Sequence, residues 1–132
     1  MNIPSNFTKV IDLVSLTTVA NIVSNTHTVV NLKKQSLPIQ GGELGFTNSA
    51  TFVSKFVESV DGGSVTVAIQ GCMNADFANN DTFTLVTLAA QSGTGTVIGT
   101  YAGPLPPFIR ASVTAANTPN GTLSVKAIVG GR

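Results

Sequence analysis

Apolar and polar residues alternate with a period of two along much of this chain, and Gly, Pro, Asn and Asp punctuate the alternating stretches. That combination predicts short β-strands joined by turns. The clearest stretch is residues 122–129, where Leu123, Val125, Ala127 and Val129 fall on one face and Thr122, Ser124, Lys126 and Ile128 on the other. Before it, Ile109, Ala111 and Val113 share a face of residues 108–114, and Pro119-Asn120-Gly121 lies between the two. Asn-Gly supplies the positive φ of a type I′ turn, so these stretches are expected to pair as a hairpin with Asn120-Gly121 at its tip. A second hairpin is expected around Asp61-Gly62-Gly63, after which Val65, Val67 and Ile69 alternate with Ser64, Thr66, Ala68 and Gln70.

Residues 51–60, the other arm of that hairpin, fit two templates. Phe52, Phe56 and Val60 are spaced by four, as are Val53 and Val57, which also matches a helix face. The β-branched and aromatic content and the Gly-rich turn that follows favour a strand. Further strands are expected at 26–32, 82–88 and 96–101, with breaks at Asn79-Asn80-Asp81, Ser92-Gly93-Thr94-Gly95 and Gly103-Pro104-Leu105-Pro106-Pro107. Many short strands without alternating helices predict an all-β sandwich or barrel rather than a parallel α/β fold. Residues 3–21 fit a short helix, an edge strand or an extended arm. The expected organisation is an N-terminal arm or edge segment over 1–25 followed by a β-sandwich domain over 26–132.

Composition adds one unusual feature. Charged residues make up 10% of the 132 and the net charge is +1, against about 25% charged in ordinary domains. With 42% hydrophobic residues the chain is not of the disordered class. A weakly charged surface tends to associate. Either Thr, Ser and Asn supply its polarity, or an assembly covers much of it. Nucleic-acid binding is not indicated, since Lys33-Lys34 is the only adjacent basic pair and acids nearly balance bases. No apolar run approaches the roughly 20 residues of a membrane-spanning helix. The first residues lack a basic start followed by an apolar segment, so they read as a cytoplasmic translation start. Asn-x-Ser/Thr triplets at Asn6, Asn80 and Asn120 are what chance gives in a chain rich in Asn and Thr.

Candidate chemistry is sparse. His27, the one histidine, sits in a strand-like Asn25-Thr26-His27-Thr28-Val29 context without a visible nucleophile and acid, so a structural role is expected. Cys72, the one cysteine, cannot form an intramolecular disulfide and is expected to behave as a small buried apolar residue. Asn74, Asp76, Asn79, Asn80 and Asp81 make an oxygen-rich loop, but Ala78 stands where an EF-hand needs its third ligand. Asn and Asp also serve turns by bonding nearby backbone, which is the expected role. Gly41-Gly42-Glu43-Leu44-Gly45 lacks the Gly-Lys-Ser/Thr ending of a phosphate loop. No spacing singles out a catalytic pair among Asp12, Glu43, Glu58, Asp61, Asp76 and Asp81. No catalytic, cofactor or metal residues are therefore assigned, and no enzyme is expected.

The stretch "SVTVAIQGCMNADFANNDTFTLVTLAA" joins an alternating strand, an Asn/Asp loop and a Thr-rich strand. It leads to "GPLPPFIRASVTAANTPNGTLSVKAIVGG", a Pro-rich approach to the last two strands. Over roughly residues 26–130 this order resembles the jelly-roll decoration, or cement, proteins of tailed bacteriophages. The resemblance lies in strands and turns and carries no chemical motif. It implies an antiparallel β-sandwich of jelly-roll type on the outside of an icosahedral capsid, bridging major capsid subunits. A homo-oligomer is implied, a trimer as first expectation and a dimer as second, made in the host cytoplasm and located in the virion, with no nucleic acid, membrane or cofactor involved. The family has no site residues to carry over. Two other readings are a carbohydrate- or receptor-binding module of a phage tail or fibre, and another head–tail structural subunit. Having no Trp and only Tyr101 as tyrosine weakens the first. The apolar residues Ile3, Phe7, Val10, Ile11, Leu13, Val14 and Leu16 need a covering surface, on their own sandwich or on a neighbour.

Overall fold

The alternating stretches become strands because only an extended backbone puts every second side chain on one buried face. A computed structural model describes residues 7–32, 47–78 and 80–131; the expectations for Lys33-Lys34 and for the Gly41–Gly45 loop with Glu43 lie outside them. The strands are β1 (Phe7–Asn21), β2 (Asn25–Thr26), β3 (Val30–Asn31), β4 (Thr47–Val60), β5 (Ser64–Cys72), β6 (Phe83–Thr87), β7 (Gly95–Ala102), β8 (Phe108–Ala116) and β9 (Asn120–Gly131). Residues 51–60 are strand, not helix, and residues 7–21 form an edge strand.

One sheet has the order β1-β9-β4-β7; the other has the order β2-β8-β5-β6, with β3 also paired to β8. Every pairing is antiparallel. β2 and β3 behave as one interrupted strand along β8, with a register slip between them. With these two counted together the wiring is that of a jelly-roll. Among the described residues, successive strands alternate between sheets, except that β5 and β6 are consecutive and hydrogen-bonded to each other.

That wiring corrects both expected hairpins. β8 pairs with β5, β2 and β3, while β9 pairs with β1 and β4. Likewise β4 and β5 lie in opposite sheets. Asp61-Gly62-Gly63 and the segment before Asn120 reverse the chain as expected, but they carry it across the sandwich. The tip of the second crossing is Asn117-Thr118, with φ of 57° and 52°, and not Asn120-Gly121, which already belongs to β9. The two crossings pack side by side. Gly63 has φ 78°, and a Cβ there would lie 2.5 Å from the Pro119 nitrogen and 2.7 Å from the Ala116 carbonyl oxygen.

The core lies between the sheets. Phe52 and Phe56 of β4 and Leu123, Val125, Ala127 and Val129 of β9 face Val65, Val67 and Ile69 of β5 and Ile109, Ala111 and Val113 of β8. Full burial of each large aliphatic or aromatic side chain contributes roughly 1.5–3 kcal/mol. β1 packs on its own sandwich through Ile11, Leu13 and Val14. A bulge between Asp12 and Val14 inserts Leu13 as an extra residue, so that two successive side chains are buried.

Candidate interaction surface

The same alternation that fills the core leaves an outward face on the β1-β9-β4-β7 sheet, and the register fixes its rows. Asp12, Lys126, Val53 and Ile98 lie opposite one another across the four strands. Val10, Ile128, Thr51 and Thr100 make the next row, and Ser15, Ser124, Lys55 and Thr96 the row on the other side. Val10, Val57 and Ile98 are exposed. The charges on this face include Lys55 and the exposed ion pair between Lys126 Nζ and Asp12, at 3.2 Å. Such a surface pair adds little stability. A cleft of about 370 Å³ runs over Ser15, Thr17, Lys55, Thr122, Ser124 and Lys126. It opens where a second β1 bulge, between Leu16 and Ala20, lifts the strand off β9. Val19, Val23 and Val60, all exposed, flank the Asn21–Asn120 pair at that end of the sheet. This is a surface of aliphatics and hydroxyls with few charges.

The other sheet carries a buried satellite cluster on its outside. The loop after β5 folds back so that Phe77 is buried, with left-handed φ of 49°. The Arg110 guanidinium sits 4.3 Å from the Phe77 ring centroid and donates through Nε to Gln70 Oε1 at 2.8 Å. Cys72, at the end of β5 opposite Phe108, is fully buried yet lies outside the contiguous core. In the Asn/Asp loop the Asp76 carboxylate accepts from the Ala78 N–H, while the Ala78 carbonyl accepts from the N–H groups of Asp81 and Thr82 and from the Thr82 hydroxyl. These are turn bonds. Among the described residues no three His, Cys, Asp or Glu side chains converge.

His27 lies just past β2, half-buried, its backbone N–H donating to the Ala111 carbonyl at 2.8 Å. Burial pushes its pKa below the usual 6.5 by disfavouring the imidazolium. As pH falls below 6.5, the unfolded chain takes up this proton before the folded one does. Stability is therefore expected to drop as pH falls from 6.5 towards the lowered value, and His27→Gln should shrink that drop. Urea midpoints of the two proteins across this window check it; parallel curves would remove His27 as the cause.

No family model matches the chain, and no curated protein does. Among solved structures, a chain of infectious bursal disease virus, Gx strain, superimposes with a TM-score of 0.50 at 12% identity, covering 96% of this chain. This chain spans only 32% of that one. The Eiger TNF of S. frugiperda aligns with a TM-score of 0.43 at 13% identity, over 96% of this chain and 92% of its own. At such identities the likeness to the virus chain is one of fold, and the fold it shares with this chain is an antiparallel β-sandwich of jelly-roll form.

Proposed function

We propose that this domain is a non-catalytic virion structural protein that decorates the outer surface of an icosahedral phage capsid and stabilises it by bridging major capsid subunits. The observation that carries the reading is the outward face of the β1-β9-β4-β7 sheet, weakly charged and rich in aliphatics and hydroxyls, in a chain of net charge +1. A surface of this kind loses little by desolvation and gains by burial. The fold likeness to a virus chain and the resemblance of residues 26–130 to cement proteins are in keeping with it. Many identical weak contacts over a lattice add up to a strong shell, so no single contact has to be tight.

The test is co-sedimentation of the purified chain with phage heads that lack their decoration protein. Saturable binding in a fixed ratio to the major capsid protein, with capsids more resistant to heat, is the expected result. Absence of binding to any such head, together with specific binding on a glycan array, would replace this role with a receptor-binding one. Lys55→Glu reverses the charge beside the cleft and is expected to lower capsid occupancy while leaving the fold intact, since Lys55 is exposed.

A further inference from the structure

The two edges of the β1-β9-β4-β7 sheet are built differently. β1 carries bulges between Asp12 and Val14 and between Leu16 and Ala20, together with the charged Lys9 and Asp12. Bulges and charges are the devices that keep an edge strand from pairing with a foreign strand. β7 has neither. Its sequence Gly-Thr-Val-Ile-Gly-Thr-Tyr-Ala contains no charge and no proline, and its register with β4 runs from Gly95 to Ala102 without a shift. It is also held firmly from inside: Gly99 lets Leu88 and Val86 close against the strand, a Cβ there meeting Leu88 Cδ2 at 2.5 Å. The result is a straight, uncharged strand, fixed in place, with one row of backbone groups facing outward.

We infer that the β7 edge pairs antiparallel with the β7 edge of a second copy of this chain, centred on Ile98. The centre follows from side-chain matching. Residues opposite each other in an antiparallel pair share a face, so placing Ile98 against its twin sets Thr96 opposite the second copy's Thr100 on the same outer face. On the inner face Val97 comes opposite the second copy's Gly99, large against small. Ile98 is 64% exposed in the single chain, and this register covers it with its own equivalent. The middle row then reads Asp12, Lys126, Val53, Ile98 and the same four in reverse. Its apolar centre is flanked on each side by an ion pair, and Lys126 of each copy stays two strands away from the junction, while Lys55 lies one strand away in the neighbouring row, beside Thr96. The contact is isologous, so it closes as a dimer, the second of the two oligomers expected from the resemblance. It deepens the proposed assembly role and rests on it only for its purpose, because the pairing forms without a capsid.

Sedimentation of the full chain over a range of concentrations is expected to show a monomer–dimer equilibrium. Ile98→Lys sets two ammonium groups opposite each other and should leave a folded monomer. Ile98→Cys should cross-link copies under mild oxidation, since Cα atoms opposite in an antiparallel pair are about 4.5–5.5 Å apart, within disulfide range. Val10→Cys, equally placed on the outer face but on the bulged edge, should not. A wild-type chain that stays monomeric, an Ile98→Lys variant that associates like wild type, or equal cross-linking of the two cysteine variants would each overturn the contact. A wild-type dimer that binds no capsid would instead remove the decoration role and leave the edge contact standing.

Discussion

Gly121→Val is expected to prevent folding or to lower stability by about 4 kcal/mol or more, at the extreme of what one substitution does. Gly121 sits in β9 between Ala20 of β1 and Glu58 of β4. A Cβ added there would lie 2.1 Å from the Val57 carbonyl oxygen and 3.0 Å from its carbon. Both are backbone atoms of a paired strand next to a register shift between Glu58 and Val60. They cannot move without breaking the β4–β9 ladder. Gly95→Val is the control, because a Cβ at that strand glycine meets nothing within 4 Å. Urea midpoints should fall steeply for the first and little for the second. Equal midpoints would show that β4 and β9 do not approach this closely.

The glycine was visible in the sequence, but for another reason. Asn120-Gly121 reads as the tip of a type I′ hairpin, whereas the chain turns at Asn117-Thr118 and uses Gly121 for close approach within the sheet. The Asn120 side chain meanwhile donates to Asn21 Oδ1 across to β1. Turn chemistry reports that the chain reverses. It does not report which strand the returning segment pairs with, since a hairpin and a sheet-to-sheet crossing both need two short-range reversals of φ. The strands themselves were legible because their inner faces are almost purely apolar. Within residues 3–21, open between three forms on pattern alone, Phe7–Asn21 is β1 once bulges are allowed, because Leu13 and Val14 cannot both face inward in a regular strand.

The outward face was legible only as a composition. Low charge says that some surface is suited to association, not which one. Val10, Val53, Ile98 and Ile128 are scattered through the sequence and become neighbours only through the register of four strands. The contrast between a bulged, charged β1 edge and a regular, uncharged β7 edge is likewise a property of pairing, invisible until the partner strand is known. By contrast, the roles expected for Asp76 and its neighbours follow from local turn bonds, which depend on residues only a few positions apart.

Residues 51–60 matched a helix as well as a strand because a spacing of four is also twice a spacing of two. The position that decides between them is Ser54, which breaks the apolar run between Phe52 and Phe56 yet is fully buried. Its hydroxyl donates to Gln91 Oε1 at 3.0 Å, and Gln91 Nε2 donates to the Gly95 carbonyl at 2.8 Å. The Gln91 backbone exchanges both hydrogen bonds with Val65 of β5, at 2.8 and 2.9 Å. Gln91, itself buried, thus ties β4 and β7 of one sheet to β5 of the other, beside the apolar core. Gln91→Ala removes the tie, leaves the Ser54 hydroxyl without its partner, takes one bond from the Gly95 carbonyl, and opens a cavity; a loss of about 3 kcal/mol is expected. Ser54→Ala orphans only Gln91 Oε1 and should cost about 1–2 kcal/mol. Because both changes break one shared bond, the double variant should cost less than the two single losses combined, by about 1 kcal/mol. Urea denaturation of the four proteins measures this coupling. Strict additivity would mean that Ser54 and Gln91 are buried for separate reasons and that the sheets are held together by apolar packing alone.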